Sequence, residues 1–265
     1  MRIGAFMIPS PVDVIYDTIG RGYAHTRREE PRIAQAIVRA LGDARSVINV
    51  GAGAGSYEPR DREVLAVEPS DVMIAQRPRE SAPVVRGRAE ELPLPDDCCD
   101  AAMAILSDHH WEDRPAGLRE MRRVARRRVV IFNADPAEAD RLWVTREYLP
   151  EFEGLIPGRF RSAGEWQEEL GELLPGRQSV ERVPIPHDCR DGFYGAWWRH
   201  PEAYLDPRVR AGISFFAQLP RPAVNAAIAR LRADLESGAW QRRHADLLEL
   251  EELDLGYKVL TIELD

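Results

Sequence analysis

The sequence predicts an α/β fold: seven strands in a mostly parallel sheet, helices on both faces, and a large helical insertion before the last strand. Three observations carry this expectation. Ser46–Val50 (SVINV) is a short apolar, β-branched run that stops at Gly51-x-Gly53-x-Gly55, as a buried parallel strand does when its end meets a ligand. A second run, Glu63–Glu68 (EVLAVE), follows after twelve residues, about the minimum for a parallel crossover. Residues 100–106 (DAAMAIL) are apolar on both faces and therefore central, and 128–133 (RVVIFN) add a further strand after a helical pattern.

Taken in order, residues 12–28 interleave aromatic and basic side chains. Tyr16 and Tyr23 lie seven apart, on one face of a helix, with Arg27 four beyond Tyr23. Pro31 opens the first core helix, with Glu29 and Glu30 on the side the helix dipole favours, and Ile33, Ile37 and Leu41 form its buried stripe up to Gly42. After Glu68, residues 71–76 begin a short helix and Val84–Arg86 is a third strand. Residues 115–127 read as a helix with a basic face. Beyond residue 137 the composition changes, with five of the six tryptophans in this half. Residues 163–174 read as a helix, 179–185 (SVERVPI) as a half-covered strand and 253–264 (LDLGYKVLTIEL) as the final strand. Between those two strands, helices are expected at 202–205, 209–218, 223–236 and 240–251, too much chain for a turn and suited to a substrate cap above the strand tips. The expected divisions are 1–29, a core over 30–136, connecting elements over 137–185, the insertion over 186–252 and the last strand over 253–265.

Glycines at alternate positions let the backbone take φ > 0 and approach a flat or charged group. A dinucleotide site needs a helix whose N-terminus faces a pyrophosphate. Here the loop uses five residues and Pro59 interrupts the remaining seven, which argues against NAD or FAD, and the pattern G-x-x-x-x-G-K-[ST] is absent. Glu68 ends its strand where a carboxylate accepts hydrogen bonds from both hydroxyls of a ribose. The expected ligand is a nucleoside without a polyphosphate.

VINVGAGAGSYE, VLAVEPSDVMIAQR and GRAEELPLPDDCCDAAMAILSDHHW resemble the successive motifs of class I S-adenosylmethionine (SAM)-dependent methyltransferases. They are most similar to the small-molecule branch related to the quinone-biosynthesis enzymes, over residues 16–135. The resemblance implies a Rossmann-like sheet with an antiparallel last strand, an N-terminal helical lid, SAM as cofactor, S-adenosylhomocysteine (SAH) as product and a small-molecule acceptor. It places Gly51, Gly53 and Gly55 under the methionine and ribose of SAM and Glu68 on the ribose. Pro69, Ser70 and Met73 fall near the adenine, Ala89 and Glu90 at its edge, and Ser107 joins the cofactor set. Tyr23 and Arg27 match the lid's Y-x-x-x-R pattern, with Arg27 on the SAM carboxylate and Tyr16 toward the substrate; alternatively both tyrosines pack on the core and Arg27 faces solvent. Two departures stand out: Asn49 replaces the usual acidic residue two before the first glycine, and the crossover after the loop is short.

The fourth strand ends in Ser107-Asp108-His109-His110-Trp111, at the carboxyl edge where α/β sites lie. Adjacent histidines do not face the same way, so no metal site is expected. His110 is expected beside the transferred methyl, shaping the site or taking a proton, with Trp111 near the substrate, whereas His109 reads equally as a capping or packed residue. Asn133, at the fifth strand tip, is read as a substrate contact or a turn cap. SDHHW stands where DNA and protein amide methyltransferases carry a D/N-P-P-Y motif, which argues against nucleic-acid amine methylation. In PHDCRDGFYGAWW (186–198), His187 with Asp188 or Asp191 reads as a second general-base candidate, and Asp191 and Tyr194 as substrate contacts. The alternative is a hinge, with Asp191-Gly192 as a turn and the aromatic residues as core; Cys189 has nothing nearby to make it a thiolate.

At 265 residues, 44% hydrophobic and 30% charged, the chain suffices for one large core. A net charge of −8 supplies no general field for nucleic acid or anionic lipid. The only lysine, Lys258, lies within an expected strand and is discounted as a Schiff base. Cys98, Cys99 and Cys189 fit neither a disulfide framework nor a zinc site. No apolar run of about 18 residues occurs, so a soluble cytoplasmic protein is expected, with no nucleic-acid or membrane partner. Rival readings keep SAM but change the bond broken, by cyclisation or cleavage releasing methylthioadenosine, or make the chain a non-catalytic SAM or nucleoside sensor. Hydride transfer stands below these, for the short crossover.

Overall fold

The computed structural model describes residues 27–150 and 164–265. Tyr16 and Tyr23, expected in the lid, lie outside the described residues. Helix α1 (Pro31–Leu41) is set by its ends: Glu30 accepts from the Arg32 N–H, Pro31 occupies the first turn, and Gly42 closes the helix at φ +53°, donating back to Val38 and Arg39. Ile33, Ile37 and Leu41 are buried.

The main sheet contains β1 (Ser46–Val50), β2 (Glu63–Glu68), β3 (Val84–Arg86), β4 (Cys99–Ile105), β5 (Ala125–Ala134), β6 (Gly176–Arg182) and β9 (Tyr257–Leu264), in the order β3-β2-β1-β4-β5-β9-β6. Neighbouring strands among β1 to β5 run parallel; β9 is antiparallel to both β5 and β6. The chain winds outward from β1 to β3 and then returns to place β4 on the other side of β1. That reversal opens a crevice at the carboxyl ends of β1 and β4. Alternate residues serve opposite faces: Val47, Met103, Val130 and Phe132 pack with α1, while Ile48, Ala102, Val129 and Ile131 pack with α3 (Arg114–Val124) and α4 (Glu165–Leu173). A short helix, α2 (Asp71–Ile74), capped by Ser70, follows β2.

A second, two-stranded sheet pairs β7 (Ile185–Pro186) with β8 (Glu252–Leu253) and pins both ends of the intervening segment at one place. That segment carries α5 (Pro207–Ala211), α6 (Ser214–Gln218), α7 (Arg221–Glu236) and α8 (Ala239–Arg243). Its interior is aromatic and continuous with the sheet's core. Trp198 donates to Ile185 O at 2.9 Å, Trp143 donates to Trp198 O at 2.7 Å, and the Trp143 and Trp240 rings meet edge-on at 5.1 Å.

Several boundaries differ from expectation. The expected last strand is two: Asp254 accepts the Gly256 N–H, and Gly256 at φ +80° turns the chain between β8 and β9. The expected strand over 179–185 is likewise divided between β6 and β7. The helix expected over 209–218 breaks at Gly212 into α5 and α6, and that expected over 240–251 ends at Arg243. The basic helix stops at Val124, so Arg126, Arg127 and Arg128 belong to β5.

Candidate active site

Two cavities adjoin at the carboxyl edge of β1 and β4. The first is a cleft over the glycine loop, bordered by Asn49, Gly51, Gly53, Glu68, Pro69, Ser70, Met73, Ala89, Glu90 and Ser107. Gly51 has φ +70°; a Cβ there would lie 2.8 Å from Ser107 Cβ and 3.3 Å from Trp111 Nε1, so the close approach needs glycine. The N–H groups of Gly51 and Ala52 both donate to Val67 O, fastening the loop to β2. Glu68 holds the loop from its other side: one carboxylate oxygen accepts from Gly53 N at 2.8 Å and the other from Ser70 N at 3.0 Å. Ser107 donates to Val50 O at 2.8 Å and ties the tips of β1 and β4.

Gly55 differs from expectation. It does not line the cleft; a Cβ there would meet Ser81 Oγ at 2.9 Å and Arg77 Nη1 at 3.2 Å, so this glycine makes room for Arg77 beneath the loop. Arg77 binds Glu58 through Nη2 at 2.7 and 2.9 Å and donates to Gly53 O at 3.1 Å. Asn49 Nδ2 donates to Glu58 at 3.3 Å, leaving Asn49 Oδ1 buried without a hydrogen-bond partner among the described residues. Glu90 borders the cleft, with one oxygen already accepting from Glu112 N and Asp113 N.

The second cavity is a chamber of about 640 Å³, bordered by His109, Asn133, Trp166, Phe193, Tyr194, Phe215 and Tyr257 among others. Arg27, Leu106, His110, Trp111 and Glu112 border both cavities. Leu106 sits at the tip of β4 with φ +51°, a strained conformation for a side-chain-bearing residue. The buried Trp111 Nε1 has no hydrogen-bond partner among the described residues.

Arg27 is gripped by Asp191, Nε to Oδ1 at 2.6 Å and Nη2 to Oδ2 at 3.1 Å, and Asp191 Oδ2 also accepts from Tyr57 OH at 2.8 Å. Burial first, then the Asp191 charge, raises the Tyr57 hydroxyl well above its ordinary value, so it stays a donor. Asp191 therefore reaches the site through Arg27 and does not line either cavity. Tyr194 lines the chamber, with its hydroxyl 2.9 Å from Thr145 Oγ1. The expected His187 pairing is not formed: Asp188 binds Arg32, His187 Nε2 faces Glu251 at 3.2 Å, and His187 borders neither cavity.

Beside the chamber runs a row of polar groups. Arg114, which also contacts Glu169, donates from Nε to Asp108 Oδ2 at 2.8 Å; Asn133 Nδ2 lies 2.6 Å from Asp108 Oδ1 and 2.8 Å from His109 Nδ1. The His109 ring is accessible, but onto the chamber, and surrounding protein holds it below its ordinary value, by burial first, with Asp108 opposing and Arg114 and Arg27 reinforcing. His110 is pushed well below its ordinary value by burial and then by His109 and Arg27; its Nε2 lies 3.3 Å from Ser214 Oγ. Both rings are therefore neutral near pH 7. Among the described residues no group of three or more His, Cys, Asp or Glu side chains is arranged to hold a metal ion.

Sequence reasoning passes over Glu58, Arg77, Tyr57, Asp108 and Arg114, all of which shape the site. Their partners lie between 6 and 134 residues away, at no helical or strand spacing except by chance of folding. Asn49 is the exception: its departure from the motif marks the place, though not the Glu58 contact.

Residues 48–132 match the family described as "Methyltransferase domain". An uncharacterised methyltransferase of Mycobacterium tuberculosis H37Rv is 36% identical over 153 residues, 54% of this chain and 53% of its own length. One from Bacillus subtilis 168 is 26% identical over 157 residues, 54% of this chain and 62% of its own. The chain thus spans little more than half the length of these curated relatives. A solved structure from Anabaena variabilis ATCC 29413, named as a "putative methyltransferase from antibiotic biosynthesis pathway", is 34% identical with a TM-score of 0.81, covering 90% of this chain and 99% of its own. A SAM-dependent methyltransferase of Thermotoga maritima, named as a "possible histamine N-methyltransferase", shares the fold at 16% identity and a TM-score of 0.58, over 96% of this chain and all 100% of its own. With the glycine loop, the acidic strand tip and the reversed strand order found together, and with a relative similar over nearly its whole length, the chain belongs to the class I SAM-dependent methyltransferases.

Proposed function

We propose that this chain transfers the methyl group of SAM, by in-line displacement, to a small-molecule acceptor in the chamber, with residues 186–252 acting as the helical cap. The observation that carries the reading is the wall shared by the two cavities: a ligand in the cleft and a ligand in the chamber meet across Leu106, His110 and Trp111. The residues of the cleft fit SAM. Gly51 and Gly53 let the backbone approach, Glu68 is fixed by two backbone N–H groups at the strand tip where ribose hydroxyls would lie, and Asn49 Oδ1, without a hydrogen-bond partner among the described residues, is an acceptor for an ammonium group. The guanidinium of Arg27, oriented by Asp191, supplies positive charge for a carboxylate at the junction.

When bound, SAM supplies a methyl group already activated by a sulfonium leaving group. The protein's task is then to align the acceptor and exclude water. The aromatic chamber wall does the excluding. A neutral His110 with a depressed pKa is a weak proton acceptor, so the reading favours an acceptor whose attacking lone pair is available without prior deprotonation. No role falls to His187.

The test is to incubate the purified protein with SAM alone beside an enzyme-free control and follow products by mass spectrometry, then repeat with acceptor mixtures. Intact SAM in the first arm and acceptor-dependent SAH in the second are expected. Enzyme-dependent methylthioadenosine from SAM alone would overturn the reading and put the chemistry on SAM itself.

A further inference from the structure

The row Arg114–Asp108–Asn133–His109 fixes where a proton sits. Asn133 Oδ1 accepts from the Ala134 N–H at 2.8 Å, which orients the amide. Reversing the amide would set its oxygen 2.6 Å from Asp108 Oδ1, an oxygen of a carboxylate already paired with Arg114, and leave Ala134 N–H facing an NH₂ group. In the orientation that remains, the amide's two hydrogens have two takers, Asp108 Oδ1 and His109 Nδ1. Nδ1 must therefore carry its lone pair, and the proton of a neutral imidazole falls on Nε2. To act as a base through Nε2, His109 would need its proton on Nδ1, pointing into the Asn133 N–H.

The charged and titratable groups facing His109 are Asp108, Arg114, Arg27 and His110. None of them supplies an acceptor within hydrogen-bond reach of Nε2, which makes no hydrogen bond among the described residues and belongs to a ring that borders the chamber. The same chamber is lined by Trp166, Phe193, Tyr194 and Phe215, with charged Arg27, Glu112, Asp113 and Arg114 also on its border, and it has room for a ring system. A donor oriented by Asn133 on the border of a chamber with aromatic walls selects a ligand that turns apolar surface to those walls and an accepting oxygen to the donor.

We propose that the acceptor substrate is a ring-bearing, largely apolar molecule with a carbonyl-type oxygen, and that this oxygen receives the His109 Nε2–H, with Asn133 as the positioning residue that keeps the proton there. The assignment of substrate class rests on the chamber being the acceptor site of the methyl-transfer reading; the assignment of the proton does not.

The proton is read directly by long-range proton–nitrogen NMR of the labelled protein without SAM, with His109→Gln identifying the signal. The expected result is a pyrrole-type Nε2 and a pyridine-type Nδ1 near pH 7; a pyridine-type Nε2 would overturn the donor assignment. Asn133→Leu, checked for folding by circular dichroism, is expected to release the lock and populate both tautomers, and an unchanged single tautomer would remove Asn133 from its positioning role. The substrate class is read with two probes of matched shape, tetralone and tetralin, added to the SAH-loaded protein. The ketone is expected to bind roughly threefold to tenfold more tightly, with the preference lost in His109→Leu and kept in part in His109→Gln. Equal binding of the two probes, or binding of neither, would overturn the substrate class. Failure of SAH to bind while the tautomer is as expected would instead sink the methyl-transfer reading and leave the proton assignment standing.

Discussion

Two residues carry most of the cleft's geometry, and each makes a separable prediction. Glu68 accepts two backbone N–H bonds, one on each carboxylate oxygen, so Glu68→Gln keeps the size but removes the charge that strengthens bonds to ribose hydroxyls and sets an NH2 group against one of the two N–H groups that hold the loop. SAH binding measured by calorimetry is expected to weaken by about tenfold or more, at roughly 1.5 kcal/mol per charge-assisted bond lost. An unchanged dissociation constant would show that the Glu68 carboxylate does not hold the ribose. Gly51→Ala acts through the backbone: the new methyl collides with Ser107 and forces an L-residue into φ +70°. A loss of roughly 1–2 kcal/mol in urea unfolding is expected from the conformation alone, together with weaker SAH binding. Leu106 shows the same economy in reverse, since a strained residue is retained where its side chain forms part of the wall between the two cavities.

At the scale of elements, the Arg27–Asp191–Tyr57 cluster couples the start of the described chain, the glycine loop and the segment between β7 and β8. Asp191 is fully buried and bridges partners 164 and 134 residues away in sequence. Replacing Asp191 by Asn removes the buried carboxylate that Arg27 and Tyr57 share, so a loss of about 3 kcal/mol is expected in chemical denaturation, against about 1 kcal/mol for Tyr57→Phe. Equal, small losses would show the cluster to be a solvated surface pair. This cluster also marks where sequence reading ends. The bounds of β1, β2 and β3 are legible because β-branched runs stop at glycine, proline or a charged strand tip, all local signals. The pairing of Glu58 with Arg77 or of Asp191 with Arg27 has no local signal, because it depends on which loops the sheet order brings together. The insertion is misread for a related reason. Its apolar residues serve an aromatic core shared with Trp143 and the sheet, so helical periodicity overruns Gly212 and Arg243, where tertiary packing ends the helices.

Across the whole molecule, stability should depend on pH in a way set by the site. His109 and His110 have folded values below the ordinary value of about 6.5, so the unfolded chain takes up protons first as pH falls. The contribution of these two groups is present above about pH 6.5 and is lost as pH falls toward each folded value, by up to about 1.4 kcal/mol per unit for His110 and by less for His109, whose exposed ring is screened by solvent. His110→Gln is expected to flatten that slope between roughly pH 6.5 and 5.5, and an unaltered slope in stepwise urea titrations would count against a buried neutral His110. Glu138 adds a later loss. Burial favours its neutral form, but hydrogen bonds from Arg182 and Lys258 prevail and hold the carboxyl at about 2, so its contribution is present above its unfolded value and disappears as pH falls toward about 2. Among the described residues no helix is long and apolar enough to cross a membrane.

Methyl transfer requires that a ligand in the cleft and a ligand in the chamber meet at one reacting point. A crystal structure of the SAH complex tests it most directly. The expected complex has the ribose hydroxyls on Glu68, the ammonium on Asn49 Oδ1 and the sulfur at the wall formed by Leu106, His110 and Trp111, facing the chamber. SAH bound with its sulfur turned to solvent or buried away from that wall would contradict it.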